Sequence, residues 1–290
     1  MCREEPVPRA ASQNVKELGQ EHLQPSSLDA TLYANIRAGI KMIGRSIRGA
    51  LCLALTALPS IAAAQSGNGF LFKKPHGAFT MRAGYEAANT SDTLFAGIRR
   101  DMTIGPRDFD AFNFGADINY FLSQRTDLVF TLDLSSRTTS GAYRGGWEEN
   151  GRPVTHQASL DRASLGAGFR INLLDRGRQV SALAFVPAKT LPYVGATGGV
   201  LWYEFVEKGD FLQVTSDTTA DIFTDELRSN HYTLMGQLFA GVEHRLNARW
   251  SVLGETRYTQ ARAKLVQDYA DLEHIQLSGL AFNLGATVRF

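Results

Sequence analysis

A histidine and a serine lie close together near the end of the chain, in the segment HIQLSG at residues 274–279. A histidine can act as the general base for a serine nucleophile. On one β-strand His274 and Ser278 would share a face, but about 13 Å would separate them, too far for a direct hydrogen bond. The spacing therefore indicates a polar strand end rather than a catalytic pair.

Other residue types that could do chemistry are dispersed. His76, His156, His231 and His244 fall in different segments, and no HExxH or CxxC spacing occurs. The acidic segment DTTADIFTDE at 217–226 lacks the regular ligand positions and central glycine of a calcium loop. The glycine-rich segment at 195–199 precedes no helix, so it is not a phosphate-binding loop. We predict no catalytic residue, no metal and no cofactor.

The segment that precedes these motifs has the features of a secretory signal peptide. Residues 42–65 read MIGRSIRGALCLALTALPSIAAAQ, with two arginines, a short apolar core and a small-residue cleavage site. The apolar core is too short to span a bilayer. We predict cleavage between Ala64 and Gln65, and a short periplasmic segment at 65–76. Residues 1–41 are predicted to be a mis-assigned start or a disordered extension.

Removal of residues 1–64 simplifies the composition. Both cysteines, Cys2 and Cys52, would be lost, so neither a disulfide nor thiolate chemistry is available to the rest. The removed part holds seven of the 30 basic and five of the 29 acidic residues, leaving a formal net charge of −1. No basic surface that would favour nucleic acid remains.

The remaining chain is dominated by alternation of apolar and polar residues, the period of a β-strand. Eight such segments occur, separated by turn residues, and no run of apolar residues is long enough for a membrane-spanning helix. Their bounds are 77–87, 109–121, 127–138, 157–172, 191–205, 231–246, 250–260 and 277–290. The fifth segment is rich in glycine and its parity is ambiguous, although Tyr193, Leu201 and Tyr203 share a face.

Alternation alone does not distinguish a soluble barrel from a membrane barrel. The connections alternate in length: 122–126 and 247–249 are tight turns, whereas 88–108, 139–156, 207–230 and 261–274 are long and polar. Short turns at one end and long loops at the other are typical of outer-membrane barrels. The connection 173–190 is long for the short side, and either extends its neighbouring strands or adds a short one.

Aromatic residues support the membrane interpretation. They fall near the predicted strand ends, where rings with a polar edge suit the boundary between headgroups and hydrocarbon. The predicted interface aromatics are Tyr85, Tyr120, Tyr193, Tyr203, Tyr232, Trp250, Tyr258 and Phe290.

The signal peptide, the eight strands, the segment LNARWSVLGETRYT at 246–259 and the terminal alternation together resemble a known family. It is the family of small eight-stranded outer-membrane β-barrels found in OmpX and in the membrane domain of OmpA. The resemblance implies an all-β, up-and-down transmembrane barrel over 77–290, with short periplasmic turns and long extracellular loops. It also implies that the barrel-assembly machinery recognises the terminal strand, through Phe282, Leu284, Ala286, Val288 and Phe290.

The polar faces of the strands would point into this barrel. An eight-stranded barrel is narrow enough for side chains to fill it, so charges of both signs should pair inside it. The predicted lumen charges are Arg82, Glu86, Asp117, Asp133, Arg170, Glu243, Arg245, Glu255, Arg257 and Arg289, to which parity adds Arg137 and Arg162. A narrow ion or solute channel is the alternative interpretation of the same charges.

The sequence thus favours a non-enzymatic outer-membrane protein, a rigid stalk whose loops have structural, adhesive or binding roles. Its expected partners are outer-membrane lipids and lipopolysaccharide, with an unknown extracellular ligand.

A lipid A-modifying enzyme on the same barrel is the alternative. Lipid A deacylases, however, carry a histidine and a serine two residues apart followed by asparagine, a pattern that HIQLSG does not match. A soluble carrier barrel, the third alternative, would require an apolar lumen.

Overall fold

The computed structural model describes residues 71–72, 74–145, 148–149, 152–216 and 219–290. The predicted extension, signal peptide, cleavage site and both cysteines lie outside these residues, so those predictions stay untested. Of the predicted segment 65–76, Leu71 forms a β-bridge with Phe185.

The described chain is mostly β-strand. The strands are Gly77–Ala88 (β1), Ala111–Phe121 (β2), Thr126–Ala142 (β3), Glu148–Glu149 (β4), Arg152–Pro153 (β5), Thr155–Asn172 (β6), Gly177–Ser181 (β7), Ala184–Pro187 (β8), Thr190–Ser216 (β9), Thr219–Arg245 (β10), Trp250–Lys264 (β11), His274–Gln276 (β12) and Gly279–Arg289 (β13). One α-helix, Thr93–Asp101 (α1), and the 3₁₀ turns Pro106–Phe109 and Gln267–Tyr269 complete the elements. No helix in this part of the chain combines the length and apolarity needed to cross a bilayer.

Eight of the strands form a closed ring of antiparallel pairs. The ring follows chain order through β1, β2, β3, β6, β9, β10, β11 and β13, and it closes where β13 pairs with β1, with Phe79 opposite Val288. Closure leaves no free sheet edge in the wall. The predicted eight-stranded antiparallel up-and-down barrel is thereby confirmed.

The connections differ between the two ends of the barrel. At one end, which we call the turn end, the strands are joined by residues 122–125, 173–189 and 246–249. The connection 173–189 contains the two-stranded hairpin β7–β8, so it adds short strands. At the other end, the described residues of 89–110, 139–160, 203–231 and 261–278 form a larger structure, which we call the head.

The head corrects the prediction that 207–230 is a long loop. β9 and β10 are 27 residues each, and they pair almost continuously to their tips. The predicted loop at 88–108 likewise contains α1, whose first turn is capped because the Asp92 carboxylate accepts a hydrogen bond from the Phe95 amide at 2.9 Å. Backbone groups of these polar segments satisfy one another, which polarity alone does not reveal.

An apolar core fills the head. Leu94, Phe95 and Ile98 of α1 pack onto inward-facing side chains at the head ends of the barrel strands. These partners include Leu160, Leu201, Phe205, Met235 and Ala263, and the core also contains Leu265, just after β11, and Ile275 of β12. The interior therefore changes along the barrel axis, from charged side chains within the ring to apolar ones in the head.

Candidate functional site

The middle of the barrel interior is filled by five charged side chains, Arg82, Asp117, Asp133, Glu255 and Arg257, which we call the central cluster. The Arg82 guanidinium donates to both Asp117 carboxylate oxygens, at 3.0 and 2.9 Å, and to Asp133 Oδ1 at 2.5 Å. Arg257 Nε donates to Glu255 Oε1 at 3.0 Å. Two cations and three carboxylates thus share one buried network, which favours ionised pairs over isolated charges.

A second group of charges closes the turn end. Glu243 accepts from Arg170 Nη2 at 2.7 Å and from Arg289 Nη2 at 2.5 Å, and Arg176 donates to Asp127. We call these five residues the turn-end cluster. Nearer the head, Arg162 Nη1 pairs with Glu86 Oε1 at 2.9 Å.

These clusters leave little space in the lumen. A cavity beside the central cluster has a volume of about 30 Å³, and one beside the turn-end cluster has about 10 Å³. A single water needs about 10 to 15 Å³. The described interior therefore has room for isolated waters beside the clusters.

Most predicted lumen charges point into the barrel. Buried or largely buried there are Arg82, Glu86, Asp117, Asp133, Arg170, Glu243, Glu255, Arg257 and Arg289, together with Arg162. Arg245 is only half-buried and donates to the Pro187 carbonyl oxygen at 2.7 Å, at the base of the β7–β8 hairpin. Arg137 is exposed at the head and donates to the Asp108 carbonyl oxygen. Arg176, buried in the turn-end cluster, was not predicted because it lies in a connection rather than a predicted strand.

Two of the predicted interface aromatics are wrong. Tyr193 and Tyr203 point inward and are buried, because they share the inner face of the glycine-rich strand β9. The Tyr193 hydroxyl donates to Glu255 Oε2 at 3.0 Å, and the Tyr203 hydroxyl donates to the Lys264 carbonyl oxygen at 2.8 Å. Tyr85, Tyr120, Tyr232, Tyr258 and Phe290 are exposed, and Trp250 is half-buried.

The terminal strand presents its predicted signal residues outward. Phe282, Leu284 and Phe290 are exposed, and Ala286 and Val288 are half-exposed. The Phe290 amide donates to the Gly77 carbonyl oxygen at 3.0 Å, which continues the pairing to the last residue. Recognition of this strand by the assembly machinery stays a prediction.

His274 and Ser278 do not share a strand, which corrects the expectation above. His274 begins the short strand β12, whereas Ser278 precedes β13. The Ser278 hydroxyl is engaged with backbone: it accepts from the Ala261 amide at 3.1 Å and lies 3.3 Å from the Ala261 carbonyl oxygen. Within the described residues, no three His, Cys, Asp or Glu side chains converge as a metal site.

A cavity with buried polar groups lies in the head. It has a volume of about 950 Å³, the size of a small-molecule site. We call it the head cavity. Its lining combines α1 with residues from the long strands and nearby turns: Thr93, Leu94, Ala96, Gly97, Ile98, Arg100, Asp101, Met102, Tyr143, Arg144, His156, Glu207, Phe211, Leu212, Leu227 and Leu272.

A histidine and a glutamate lie buried side by side in this lining. His156 Nε2 is 3.7 Å from Glu207 Oε1, beyond hydrogen-bond distance. The other Glu207 oxygen, Oε2, accepts from the Tyr269 hydroxyl at 2.5 Å. In the described structure neither His156 ring nitrogen nor Glu207 Oε1 has a hydrogen-bond partner. A buried polar atom that lacks a hydrogen-bond partner destabilises the folded state unless another group, such as a ligand, bonds to it.

Burial sets the ionisation of this pair. It raises the pKa of Glu207 and lowers the pKa of His156, because a desolvated site disfavours both charged forms. The His156 ring lies between Tyr143, at 5.6 Å between ring centroids, and Phe211, at 5.4 Å. The head cavity thus offers unpaired polar atoms within an aromatic and aliphatic wall.

The sequence alone did not identify this site. His156 was one of several dispersed histidines, and Glu207 fell at the edge of a predicted loop. They meet because β6 and β9 pair with His156 opposite Gly209 and Ala158 opposite Glu207. Only the register of these two strands, extended into the head, makes them neighbours.

Solved structures similar to this chain include surface and outer-membrane proteins. Neisserial surface protein A is 12% identical, with a TM-score of 0.40, over 78% of this chain and 100% of that one. Ail, the attachment invasion locus protein of Yersinia pestis, is 12% identical, with a TM-score of 0.38, over 74% and 99%. The outer membrane protein OprG from Pseudomonas aeruginosa is 12% identical, with a TM-score of 0.37, over 76% and 99%. No family model matches the chain, and no curated protein matches it.

Proposed function

We propose that the chain is a non-enzymatic integral outer-membrane protein, in which the barrel is a rigid anchor and the head acts at the cell surface in a structural, adhesive or binding role. The turn end then faces the periplasm. The carrying observation is the outer surface of the ring, where apolar side chains are exposed on all eight strands.

This apolar belt is made of outward-facing positions that alternate with the buried charges. Its members include Met81, Phe112, Ile118, Phe130, Leu132, Leu165, Phe169, Val194, Val200, Leu234, Leu238, Val242, Val252, Leu280, Phe282 and Leu284. A soluble monomer rarely exposes a contiguous apolar patch larger than a few hundred Å². Charges inside and apolar residues outside are the arrangement that hydrocarbon solvent requires.

The belt can be tested by fractionation combined with a heat-shift assay. The folded protein is expected in the outer-membrane fraction and should migrate differently in electrophoresis before and after boiling. Leu132→Arg places a charge in the belt, where it costs about 2 to 4 kcal/mol. Thr138→Arg is the matched control, because Thr138 is exposed on the same face of β3 but beyond the belt. Equal folded yields of the two variants, or recovery of the protein in the soluble fraction, would overturn the proposal.

The enzymatic alternative needs a separate experiment. Purified protein incubated with lipopolysaccharide should leave the mass of lipid A unchanged. Loss or gain of an acyl chain, relative to a boiled sample, would show that the barrel carries a lipid-modifying activity instead.

A further inference from the structure

The head cavity has the composition of a site for an amphipathic small molecule. Apolar side chains such as Leu94, Ile98 and Leu212 line it together with a few polar groups, which is the usual balance in ligand pockets. The cavity lies in the head, so binding to it can be measured whether or not the barrel belongs to the outer membrane.

The unsatisfied groups of the cavity are chiefly acceptors. Glu207 Oε1 carries free lone pairs, and a neutral imidazole has one acceptor nitrogen and one donor nitrogen. Because His156 Nε2 and Glu207 Oε1 are 3.7 Å apart, one donor group could contact both. The Tyr269 hydroxyl already donates to the other carboxylate oxygen of Glu207.

The two arginines in the lining contact groups other than Glu207. Arg144 Nε donates to the carbonyl oxygens of Arg99 and Met102, at 3.1 and 2.7 Å. Arg100 pairs with Asp101 at 2.8 Å. The negative charge that Glu207 acquires on ionisation therefore has no ion-pair partner among the described residues other than the nearby imidazole. The rings of Tyr143 and Phe211 add aromatic surface to the wall.

We propose that the head cavity binds a small organic ammonium ion with an apolar or aromatic body. The ammonium group donates to Glu207 Oε1 and to a ring nitrogen of His156, and the body packs against the aliphatic wall formed by α1 and Leu212. An ammonium ion has three donors and no acceptor, and so complements this site. A carboxylate ligand would be repelled by Glu207, and a neutral alcohol supplies only one donor without the charge.

The test uses three probes that share one body: phenethylamine, 2-phenylethanol and phenylacetate. Each is titrated by calorimetry into the full mature protein in lipid nanodiscs, with empty nanodiscs as the blank. The amine should bind at least about tenfold more tightly than the alcohol, because charge-assisted hydrogen bonds are roughly twice as strong as neutral ones. Phenylacetate should bind most weakly. Equal affinities for amine and alcohol, or tightest binding of phenylacetate, would overturn the proposal without any variant.

Two variants locate the site. Glu207→Gln keeps the shape and the acceptor for Tyr269 but removes the charge, so amine affinity should fall about tenfold while alcohol affinity stays the same. Glu226→Gln is the control, because Glu226 is an exposed carboxylate on β10 in the same head. If Glu207→Gln folds, as judged by heat shift, and retains full preference for the amine, the ammonium ion does not bind at this carboxylate.

Discussion

Arg82 and Asp117 form a two-pronged ion pair across neighbouring strands inside the barrel. Arg82 Nε and Nη2 lie 3.0 and 2.9 Å from the two Asp117 carboxylate oxygens. Arg82 is 1% exposed, so the pair is shielded from water. Each buried charge is therefore stabilised mainly by its partner rather than by solvent. Arg82 also pairs with Asp133, and Arg257 lies 3.6 Å from Asp117. The pair is therefore linked to the other charges of the central cluster.

Removal of one member of this pair should destabilise the barrel strongly. Asp117→Leu leaves Arg82 with less of its compensation, and breaking a buried pair costs about 3 to 5 kcal/mol. The measurement is reversible urea unfolding in micelles. Asp101→Leu is the control, because its pair with Arg100 is on the surface and should contribute little. Similar losses in both variants would contradict a central role for the buried network.

The filled lumen predicts that the barrel does not conduct ions. In planar bilayers the unmodified protein should give no steady current, because only small cavities accompany the two clusters. The double variant Arg82→Gly, Arg257→Gly removes the two large side chains of the central cluster and should give measurable conductance if it folds. Discrete conductance steps of the unmodified protein would favour the channel interpretation instead.

Deletion of Phe290 should reduce outer-membrane insertion more than substitution of His274 and Ser278 together. Phe290 extends the pairing of the terminal strand to Gly77, and its exposed ring belongs to the predicted assembly signal. His274→Ala with Ser278→Ala is the comparison. Quantified heat-shifted protein in outer-membrane fractions is the measurement, and equal assembly of both variants would count against the signal.

His156 should titrate below the ordinary histidine value of 6.5, because burial disfavours its charged form. Since the unfolded state then takes up the proton first, this residue removes stability as the pH falls through 6.5. Its ring faces Glu207, Tyr143 and Phe211, with Arg144 and Asp101 also in the cavity lining. Nuclear magnetic resonance of labelled histidine, assigned with His156→Gln, measures the pKa. A value at or above 6.5 would refute the prediction.

The barrel was predictable because the period of a strand is two, so each apolar residue outside specifies a polar neighbour inside. Tyr193 and Tyr203 were assigned to the wrong surface because glycines in β9 obscure this parity. The head was not predictable in the same way. Its long polar segments resemble loops in composition, yet their backbones pair, and the meeting of His156 with Glu207 depends on the register between two strands.

The hairpin β9–β10 continues from the barrel wall into the head without a break. At about 3.3 Å per residue, each of its strands follows a path of roughly 90 Å, whereas a bilayer core is about 30 Å thick. A pull on the tip would load the hydrogen bonds to β6 and β11 in shear, all at once, rather than opening them one by one. A force on the head would therefore reach the barrel wall directly through this hairpin.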